Sequence, residues 1–379
     1  MKKILILHFH NHSTQPRVRR GYDCLKGKYQ LFGLGYVDCQ REEVEFITIK
    51  KPKWNWKMKL IQRFWLLIKC YKRVYWHLPQ VKEAQEKLKN YEFDIIIAHN
   101  EEAIPLALKY KKQAKVIVDM HEYAPRENAS FFWWRFYFAP YKHWLCHTYL
   151  PQVDYVYSVN ETFAKEYAKN YGIECDIITS AAKYYPLPKI LNNSPTIKLL
   201  HHGYASPDRC IEKMIETMDY VDNRFTLDLM LMDTHYPDYY EELKAMAQTR
   251  NNVRIIPPVF FEEIVPFSTQ YDIGFYLLQP TSFNTKYMLP NKFFEFIQAR
   301  LALAISPNPE MVKYLKAYDL GIVSPDFTPQ SMAKALNALT KEQIFAYKEN
   351  TNKAAEILNA TKEGEKLLGI IERVLSENN

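Results

Sequence analysis

Lys292 and Glu295 lie one helical turn apart in the segment LPNKFFEFIQARLALAIS, residues 289–306, most of whose other residues are apolar. A cation and a carboxylate at the start of a buried helix are costly unless something polar is held there. One interpretation is a local ion pair between the two side chains. The other is a binding site in which Lys292 and the helix N-terminus hold a phosphate while Glu295 accepts hydrogen bonds from hydroxyl groups.

The segment HHGYASPDRCIEKMIETM, residues 201–218, follows a predicted strand and opens a predicted helix. Gly203 permits a tight turn, and Arg209 falls in the first helical turn, where the helix dipole disfavours a cation. This placement is explained if Arg209 and backbone N–H groups share an anion such as a diphosphate. The alternative is an exposed arginine paired with Glu212 or Glu216.

In the first half of the chain, His121 and Glu122 directly follow a predicted strand in VDMHEYAP, residues 118–125. Ligands of open parallel sheets bind beyond the carboxyl ends of the strands, so both residues are candidates for a site. Glu122 could act as a base or orient a neighbour. A purely structural role is the alternative for His121.

His8, His10 and His12 alternate after the first predicted strand and are followed by Arg17. On an extended segment the three imidazoles face one way, but no acidic partner accompanies them. We therefore expect a polar loop lining a cleft rather than a metal site. Neither a glycine-rich dinucleotide turn nor a P-loop occurs, so dinucleotide binding through a glycine turn is not expected. No metal and no cofactor is expected.

Short β-branched runs alternate with helical stretches in both halves of the chain, which predicts parallel α/β folds. The alternation restarts after YYPLPKILNNSPT, residues 184–196, a stretch rich in Pro and Asn that we interpret as a linker region. The predicted helices cover 57–90, 160–172 and 340–377, and the predicted strands cover 4–7, 44–49, 94–100, 115–123, 154–160, 196–203, 225–232, 253–259, 271–278, 301–306 and 320–325.

At 379 residues the chain exceeds what one hydrophobic core usually supports, so two domains are expected. We predict two tandem Rossmann-like, doubly wound α/β domains with a cleft between them. The predicted boundaries are an N-terminal domain over 1–188, a linker over 189–195 and a C-terminal domain over 196–360. A last helix over 361–379 is expected to pack back on the first domain.

The composition is that of a globular protein with a mild positive charge, since 25% of the residues are charged and the net charge is +7. Six scattered cysteines without a C-x-x-C pair indicate neither a zinc site nor a disulfide framework, which fits a reducing compartment. The apolar run after Met1 is too short for a signal peptide, and no uncharged apolar stretch reaches the roughly 18 residues of a membrane span. The protein is therefore predicted to be cytoplasmic.

Residues 51–78 and 131–150 mix basic with aromatic side chains at helical spacing. Such segments suit a helix that lies in the headgroup region of an anionic bilayer. The alternative is a domain helix that packs its aromatic side chains inward. Stacking on single-stranded nucleic acid is the least favoured interpretation, because no RNA-binding module pattern accompanies the mixture, and no nucleic-acid partner is expected.

Three of these segments, in this order along the chain, resemble motifs of the family-4-type glycosyltransferases of the GT-B fold. VDMHEY resembles the D-x-H-E/D strand end of that superfamily, and HHGYASPDRCIE is similar to its phosphate turn. LPNKFFEFIQARLALAIS resembles the P-x-K-x-x-E donor-site segment. The resemblance extends over nearly the whole chain in organisation and is carried by these three short motifs.

The resemblance implies transfer of a sugar from a nucleotide diphosphate sugar, by default a UDP-sugar, to a glycan or lipid-linked acceptor, with retention of configuration. The first domain would bind the acceptor, with peripheral contact to an anionic membrane, and the second would bind the donor. Lys292 and Arg209 would neutralise the diphosphate without a metal, and His121 would lie near the transferred sugar. The implied donor-side residues are Gly203, Arg209, Val259 and Phe260 (through their backbone amides), Asn284, Tyr287, Met288, Asn291, Lys292 and Glu295 (on the ribose), and the implied acceptor-side residues are His10, Arg17, Glu122 and Trp133.

Tyr287 departs from the family pattern, because many members carry there a second glutamate that contacts the donor sugar. Contacts to the sugar could instead come from Asn284, Lys286 or the backbone near Met288. Two alternatives remain open: a nucleotide-sugar 2-epimerase on the same fold, and a non-catalytic nucleotide-sugar-binding protein of a glycan-assembly complex. An epimerase would convert a nucleotide sugar without any acceptor, whereas a binding protein would convert none.

Overall fold

The structure, a computed structural model, describes residues 1–187, 194–232 and 236–376. The chain divides into two compact units. The first unit comprises Met1–Thr179 together with the chain from Glu363 onward, and the second comprises Ser180–Lys362. The predicted linker over 189–195 lies, up to residue 193, outside the described residues.

The division falls after Thr179, ahead of the predicted linker, because the residues that follow pack within the second unit. Ala181 is buried in the core of that unit. The backbone N–H of Tyr185 donates to Gln298 at 3.2 Å, and the guanidinium of Arg300 donates to the Tyr185 carbonyl at 2.8 Å. These bonds tie the segment to the helix that ends near Gln298.

The first unit is built on a parallel sheet of seven strands, which are β1 (Lys3–Leu7), β2 (Gln30–Gly35), β3 (Val44–Thr48), β4 (Ile95–His99), β5 (Lys115–Met120), β6 (Tyr155–Ser158) and β7 (Asp176–Ile177). Their spatial order is β3-β2-β1-β4-β5-β6-β7. The direction of winding reverses between β1 and β4, and the carboxyl ends of these two strands mark the usual ligand crevice of such a sheet.

The second unit repeats this design with a parallel sheet of six strands, which are β8 (Ile197–Tyr204), β9 (Phe225–Met232), β10 (Val253–Ile256), β11 (Ile273–Tyr276), β12 (Ala302–Ile305) and β13 (Gly321–Val323). Their order is β10-β9-β8-β11-β12-β13, so the reversal lies between β8 and β11. The predicted α/β class with two Rossmann-like sheets is confirmed.

Helices flank both sheets, and none of the described helices is long and apolar enough to cross a membrane. They are α1 (Pro16–Leu25), α2 (Trp56–Leu67), α3 (Tyr71–Trp76), α4 (Pro79–Leu88), α5 (Ile104–Tyr110), α6 (Phe132–Tyr149), α7 (Glu161–Tyr171), α8 (Glu212–Thr217), α9 (Pro237–Gln248), α10 (Ile264–Ser268), α11 (Phe283–Lys286), α12 (Asn291–Gln298), α13 (Pro309–Tyr318), α14 (Pro329–Asn337), α15 (Lys341–Ile357) and α16 (Ala360–Ser376).

Two long predicted helices are interrupted in the structure. The stretch 57–90 divides into α2, α3 and α4, because Lys69 adopts a left-handed φ of 57° and Pro79 starts α4. The stretch 340–377 divides into α15 and α16 at Asn359, whose side-chain oxygen accepts from the N–H of Thr361 at 3.0 Å and so caps α16.

Helix α16 belongs largely to the first unit. Its residues Ile371 and Val374 are buried in the same core as Ile6 of β1. The carboxylate of Glu363 accepts a hydrogen bond of 2.6 Å from the backbone N–H of Thr179. The last helix therefore completes the core of the unit that contains the N-terminus.

Strand β2 was missed from the sequence because its run QLFGLG contains two glycines, which disfavour strands. The packing explains one of them. A Cβ at Gly33 would lie 2.3 Å from the Tyr22 hydroxyl and 2.6 Å from the Phe46 ring. The strand therefore needs glycine where it passes between α1 and β3.

Gly274 in β11 has an equivalent role in the second unit, since a Cβ there would lie 2.3 Å from Cγ of Phe296 on α12. We expect Gly274→Ala to displace α12 and to lower the free energy of unfolding by about 1–3 kcal/mol, the usual cost of overpacking a core. The measurement is the midpoint of thermal or urea unfolding.

Gly369→Ala is the matched control, because Gly369 lies within α16 and a Cβ there would have no neighbour within 4 Å. Removing a glycine from an exposed helix should raise stability by about 0.5–1 kcal/mol. Equal effects of the two substitutions would contradict the packing argument.

Candidate functional site

In the second unit, four residues lie close together at the carboxyl ends of β8 and β11, the two strands between which the direction of winding reverses. His201, His202 and Gly203 lie near the end of β8, and Tyr276 is the last residue of β11. Helix α12 begins close by and contributes Lys292. The three segments come from distant parts of the chain and meet only because β8 and β11 are neighbours in the sheet.

The ammonium group of Lys292 is surrounded by the residues of this edge. Its Nζ lies 3.3 Å from Nε2 of His201 and 4.5 Å from the centroid of the Tyr276 ring. A Cβ at Gly203 would lie 3.0 Å from the same Nζ, and Gly203 has a φ of 139°, which side-chain-bearing residues rarely adopt. Gly203 is therefore required both for the turn and for the close approach of the lysine.

His201 holds Lys292 as an uncharged acceptor. Its Nδ1–H donates to the carbonyl of Phe275 at 3.0 Å, which leaves the lone pair of Nε2 for the ammonium group. Burial and the positive charge of Lys292 lower the pKa of His201 well below its ordinary value. The sequence analysis missed this residue, although it stands in the quoted HHG motif.

Arg209 approaches the same tyrosine from the other side. Its Nη1 donates to the Tyr276 hydroxyl at 3.1 Å and lies 3.0 Å from Sδ of Met288. The residue closes a short 3₁₀ turn, Pro207–Arg209, and helix α8 begins three residues later at Glu212. The prediction that Arg209 lies in the first turn of the α-helix is therefore wrong, because Cys210 interrupts the chain with a φ of 48°.

The carboxylates proposed as alternative partners of Arg209 are engaged elsewhere. Glu212 accepts a hydrogen bond of 2.5 Å from the hydroxyl of Tyr239. Glu216 pairs with Lys213 at 2.9 Å on the same helix. Arg209 instead shares Tyr276 with Lys292, so two cations converge on one aromatic ring.

Two cations converge here, and the half-exposed carboxylate of Asp208 lies 3.5 Å from Nε of Arg209. Burial, and next the charge of Arg209, lower the pKa of Lys292 well below its ordinary value, while Glu295 acts in the opposite direction. A bound anion would stabilise both cations and restore the charged form of the lysine. The arrangement therefore suits a compact, multiply charged anion such as a diphosphate.

Glu295, one turn further along α12, lies against a different histidine. Its Oε2 is 3.3 Å from Nε2 of His202, and both side chains are almost completely buried. Burial and Lys292 lower the pKa of His202 to about 3, so this imidazole is uncharged at neutral pH. Lys292 and Glu295 thus lie beside neighbouring residues of β8, which are His201 and His202.

The remaining donor-side candidates lie on three segments. Tyr287 and Met288 connect α11 to α12, where Asn291 is the first helical residue, and Asn284 on α11 is buried. Val259 and Phe260 follow β10, and the Phe260 side chain is 79% exposed. The backbone N–H of Phe260 donates to Glu263 at 3.3 Å, so reading a base with this amide would require that bond to break.

In the first unit, a cluster of imidazoles lies at the equivalent sheet edge. His8 follows β1, His99 ends β4 and His121 follows β5. Nδ1 of His99 lies 2.9 Å from Nε2 of His121, and the ring centroids of His8 and His121 are 5.6 Å apart. The structure thus joins His121 to two histidines whose strands are neighbours in the sheet.

Asp119 lies beneath this cluster and binds Arg17. The Arg17 Nε donates to the two carboxylate oxygens at 2.8 and 2.7 Å, and Oδ2 lies 3.3 Å from His99 and 3.5 Å from His121. Although burial opposes ionisation, Arg17 and then His121 lower the pKa of Asp119 well below its ordinary value. Sequence reasoning missed Asp119 and His99, whose signal was their position at the ends of neighbouring strands.

His121 is held as a neutral imidazole. Burial, opposed by Asp119, lowers its pKa to about 4, and its backbone N–H donates to Asn100 at 3.0 Å. The ligand-type atoms of His99, Asp119 and His121 lie within 4.8 Å of one another, a spacing that a metal ion could use. Because Arg17 already neutralises the carboxylate, we interpret the group as a hydrogen-bonded cluster that orients His121.

The other acceptor-side candidates differ in their surroundings. His10 lies 3.3 Å from Glu102, whose hydrogen bond raises the pKa of His10, so the expectation that no acid accompanies the N-terminal histidines is wrong. His12 is structural, because its ring bonds Tyr22 and two backbone carbonyls. Glu122 is exposed, and Trp133 is 67% exposed near the start of α6.

Comparison with known proteins adds a family and a fold. Residues 46–179 match the model of Glycosyltransferase Family 4. A search of curated protein sequences finds no match.

Solved structures resemble the chain over almost its whole length. Anabaena HepE in complex with UDP and glucose has a TM-score of 0.71 at 11% identity, with 98% of this chain and 100% of that chain covered. A glycosyltransferase from Rickettsia africae gives 0.70 at 13%, with 99% and 98% covered. WaaG, a glycosyltransferase involved in lipopolysaccharide biosynthesis, gives 0.67 at 13%, with 97% and 99% covered.

At these identities the solved structures establish the fold, and the family match is confined to residues 46–179. Both agree with the three motifs and with the paired Rossmann-like sheets. The chain therefore has the fold of these solved glycosyltransferases, and its residues 46–179 match the model of Glycosyltransferase Family 4.

Proposed function

We propose that the protein transfers a sugar from a nucleotide diphosphate sugar to a glycan or lipid-linked acceptor in the synthesis of a bacterial surface polysaccharide, lipooligosaccharide or glycoprotein glycan. The observation that carries the donor assignment is the convergence of Lys292 and Arg209 on Tyr276. Two cations at the carboxyl edge of a Rossmann-like sheet are suited to a diphosphate. The reaction needs no metal in this proposal, because the cations replace it.

The transfer step breaks the bond between the anomeric carbon and the diphosphate oxygen, and forms a bond from that carbon to an acceptor hydroxyl oxygen. The hydroxyl proton leaves with the nucleoside diphosphate. Negative charge grows on the diphosphate as its bond to the sugar breaks, so cations that bind it lower the barrier. We assign this role to Lys292 and Arg209, and we propose that the new bond forms with retention of configuration.

Glu295 is proposed to accept hydrogen bonds from the ribose hydroxyl groups. The neutral His202 lies beside the carboxylate without adding a competing cation. Lys292 and Glu295 are one helical turn apart, a separation that matches a diphosphate next to its ribose. Both lie beside residues of one strand, β8, which are His201 and His202.

Uridine is the proposed base, and support comes from the neighbours. HepE was crystallised with UDP and with UDP-glucose, and an Escherichia coli protein described as trehalose-6-phosphate was bound with UDP-2-fluoro glucose. These ligands belong to those proteins. They make UDP-sugars the first donors to test.

The acceptor is proposed to bind at the imidazole edge of the first unit. His121 would contact the transferred sugar or the acceptor hydroxyl, with His10, Arg17, Glu122 and Trp133 around it. WaaG, which takes part in lipopolysaccharide biosynthesis, supports an envelope glycan as the acceptor class. We propose a cytoplasmic protein that works at the inner face of the cytoplasmic membrane.

The alternative of a nucleotide-sugar 2-epimerase is tested by incubating a UDP-sugar without acceptor. A glycosyltransferase leaves the sugar configuration unchanged, whereas an epimerase produces the isomer. A non-catalytic binding protein would bind the nucleotide but transfer nothing to an envelope glycolipid fraction. The feature that supports a non-catalytic binding protein is Tyr287, which stands at the position of the family's second glutamate.

Lys292→Met and Arg209→Met should each weaken UDP binding by tenfold or more, because each removes one of two cations from the same diphosphate. Lys316→Met is the control, since Lys316 is exposed on α13. The measurement is a thermal-shift titration, in which UDP at 100 times its Kd should stabilise the wild-type protein by about 2.7 kcal/mol. Unchanged UDP affinity in both variants would contradict the proposal that Lys292 and Arg209 bind the diphosphate.

UDP-glucose binding should take up a proton at pH values above the lowered pKa of Lys292. Burial and Arg209 lower this pKa, and a bound diphosphate should raise it. Affinity should therefore fall as the pH rises through the lowered pKa of Lys292. Calorimetry in two buffers of different ionisation enthalpy measures the uptake. Lys292→Arg, which stays protonated, should abolish it, and a buffer-dependent heat that persists in this variant would assign the proton to another group.

His121→Ala should reduce transfer from a UDP-sugar to an envelope glycolipid fraction by tenfold or more, while the Kd of UDP stays within twofold. The reason is that His121 belongs to the first unit and Lys292 to the second. His147→Ala, an exposed histidine on α6, is the control. Full activity of the His121 variant would exclude this residue from the reaction.

A further inference from the structure

The first unit exposes a large set of apolar side chains on helix α2 and at the start of α6, two helices that pack against each other. We call these residues the apolar face. Each is between 47% and 67% exposed. They are Trp56, Leu60, Ile61, Phe64, Leu67 and Ile68 on and just after α2, and Phe131, Phe132, Trp133 and Phe136 at the start of α6.

The side chains of the apolar face are not packed in the hydrophobic core of the unit. Helix α2 packs inward through a different side, where Leu66 is buried and Trp65 is partly covered by the Arg73 guanidinium at 4.1 Å from its ring centroid. Spacings of three and four residues place Trp56, Leu60 and Phe64 together on the outer side. A contiguous exposed apolar surface of this kind marks an interaction site.

The two segments that carry the apolar face contain charges of a single sign. Residues 46–82 and 128–153 contain no Asp or Glu. Long basic side chains can extend from such a rim toward anionic groups while their stems cover apolar surface. The exposed basic residues of these segments are Lys50, Lys51, Lys53, Lys57, Lys59, Arg63, Lys69, Lys72, Arg73, Lys82 and Arg135.

A groove of about 600 Å³ adjoins the end of α2. Lys69, Lys72 and Arg73 line it together with Trp76 and Trp144. Cations above aromatic rings are the combination found where protein meets the headgroup layer of a bilayer. The groove therefore extends the basic rim of the apolar face into a concave region that can accept a phosphate.

We infer that the apolar face docks onto an anionic lipid bilayer, with its aromatic and aliphatic side chains in the interfacial layer and its basic rim on the headgroups. The inference names the surface for the membrane contact in the proposed function, and it relies on that function only for the lipid-linked acceptor. None of the described helices can span a bilayer, so the attachment is interfacial. Charge complementarity selects the bilayer as occupant, because the face carries cations and no carboxylates from its own segments.

The test is sedimentation of the full chain with vesicles of phosphatidylcholine alone and of phosphatidylcholine mixed with phosphatidylglycerol. We expect at least tenfold stronger binding to the anionic vesicles, reduced by added salt. Ile61→Gln with Phe64→Gln, and separately Lys57→Glu with Lys59→Glu, should each lower this binding tenfold or more. Both pairs should keep the UDP thermal shift of the wild-type protein, which separates this inference from the donor site.

Matched controls come from the second unit. Ile357→Gln replaces an isolated apolar side chain that is 56% exposed, and Lys316→Glu with Lys334→Glu reverses two exposed charges. Neither control should change vesicle binding. Equal loss in the controls, or binding that ignores lipid charge, would overturn the inference.

Insertion is measured by quenching of tryptophan fluorescence with brominated acyl chains. Trp56→Phe and Trp133→Phe should each remove part of the quenching, whereas Trp54→Phe, a less exposed tryptophan before α2, should remove less. Concentration-dependent dimerisation that Ile61→Gln with Phe64→Gln abolishes, without quenching by lipid, would assign the surface to a second copy of the chain and overturn the inference.

Discussion

The second unit depends on placing the ammonium group of Lys292 where its charge is disfavoured. The group is removed from solvent and lies near the guanidinium of Arg209, two effects that both favour its neutral form. The lone pair of His201, the face of the Tyr276 ring and the carboxylate of Glu295 offset this cost only in part. A site built in this way gains most from a ligand that brings negative charge, as the proposed diphosphate would.

Both units place histidines against a charged partner. In the second unit neutral imidazoles lie beside Lys292 and Glu295, and in the first unit His99 and His121 lie against the carboxylate of Asp119. A neutral imidazole can donate at one nitrogen and accept at the other, so it satisfies a buried ion without adding charge. Burial lowers the pKa values of His121, His201 and His202, which keeps these three imidazoles uncharged at neutral pH.

The positive charge of the chain serves two different purposes. Partly buried cations, such as Lys292, act at short range and are screened less by salt than exposed ones. Exposed lysines around α2, such as Lys57 and Lys59, act through a screened field and suit an extended anionic surface. The net charge of +7 therefore does not predict either site, because the effect of each cation depends on its position in the fold.

The sequence by itself determined the class of fold and the segments that carry the site. Strands such as ILIL are buried on both faces and must be continuous apolar runs, while motifs such as LPNKFFEF place charges where a helix begins. Strand β2 was not predicted from the sequence. Its Gly33 is needed because Tyr22 and Phe46 leave no room for a side chain, and these two residues approach Gly33 only in the folded protein. The tertiary structure alone decided the partners of each charge. Lys292 meets His201 across 91 residues and Arg17 meets Asp119 across 102, because strand order in the sheet, which no local stretch encodes, sets those contacts.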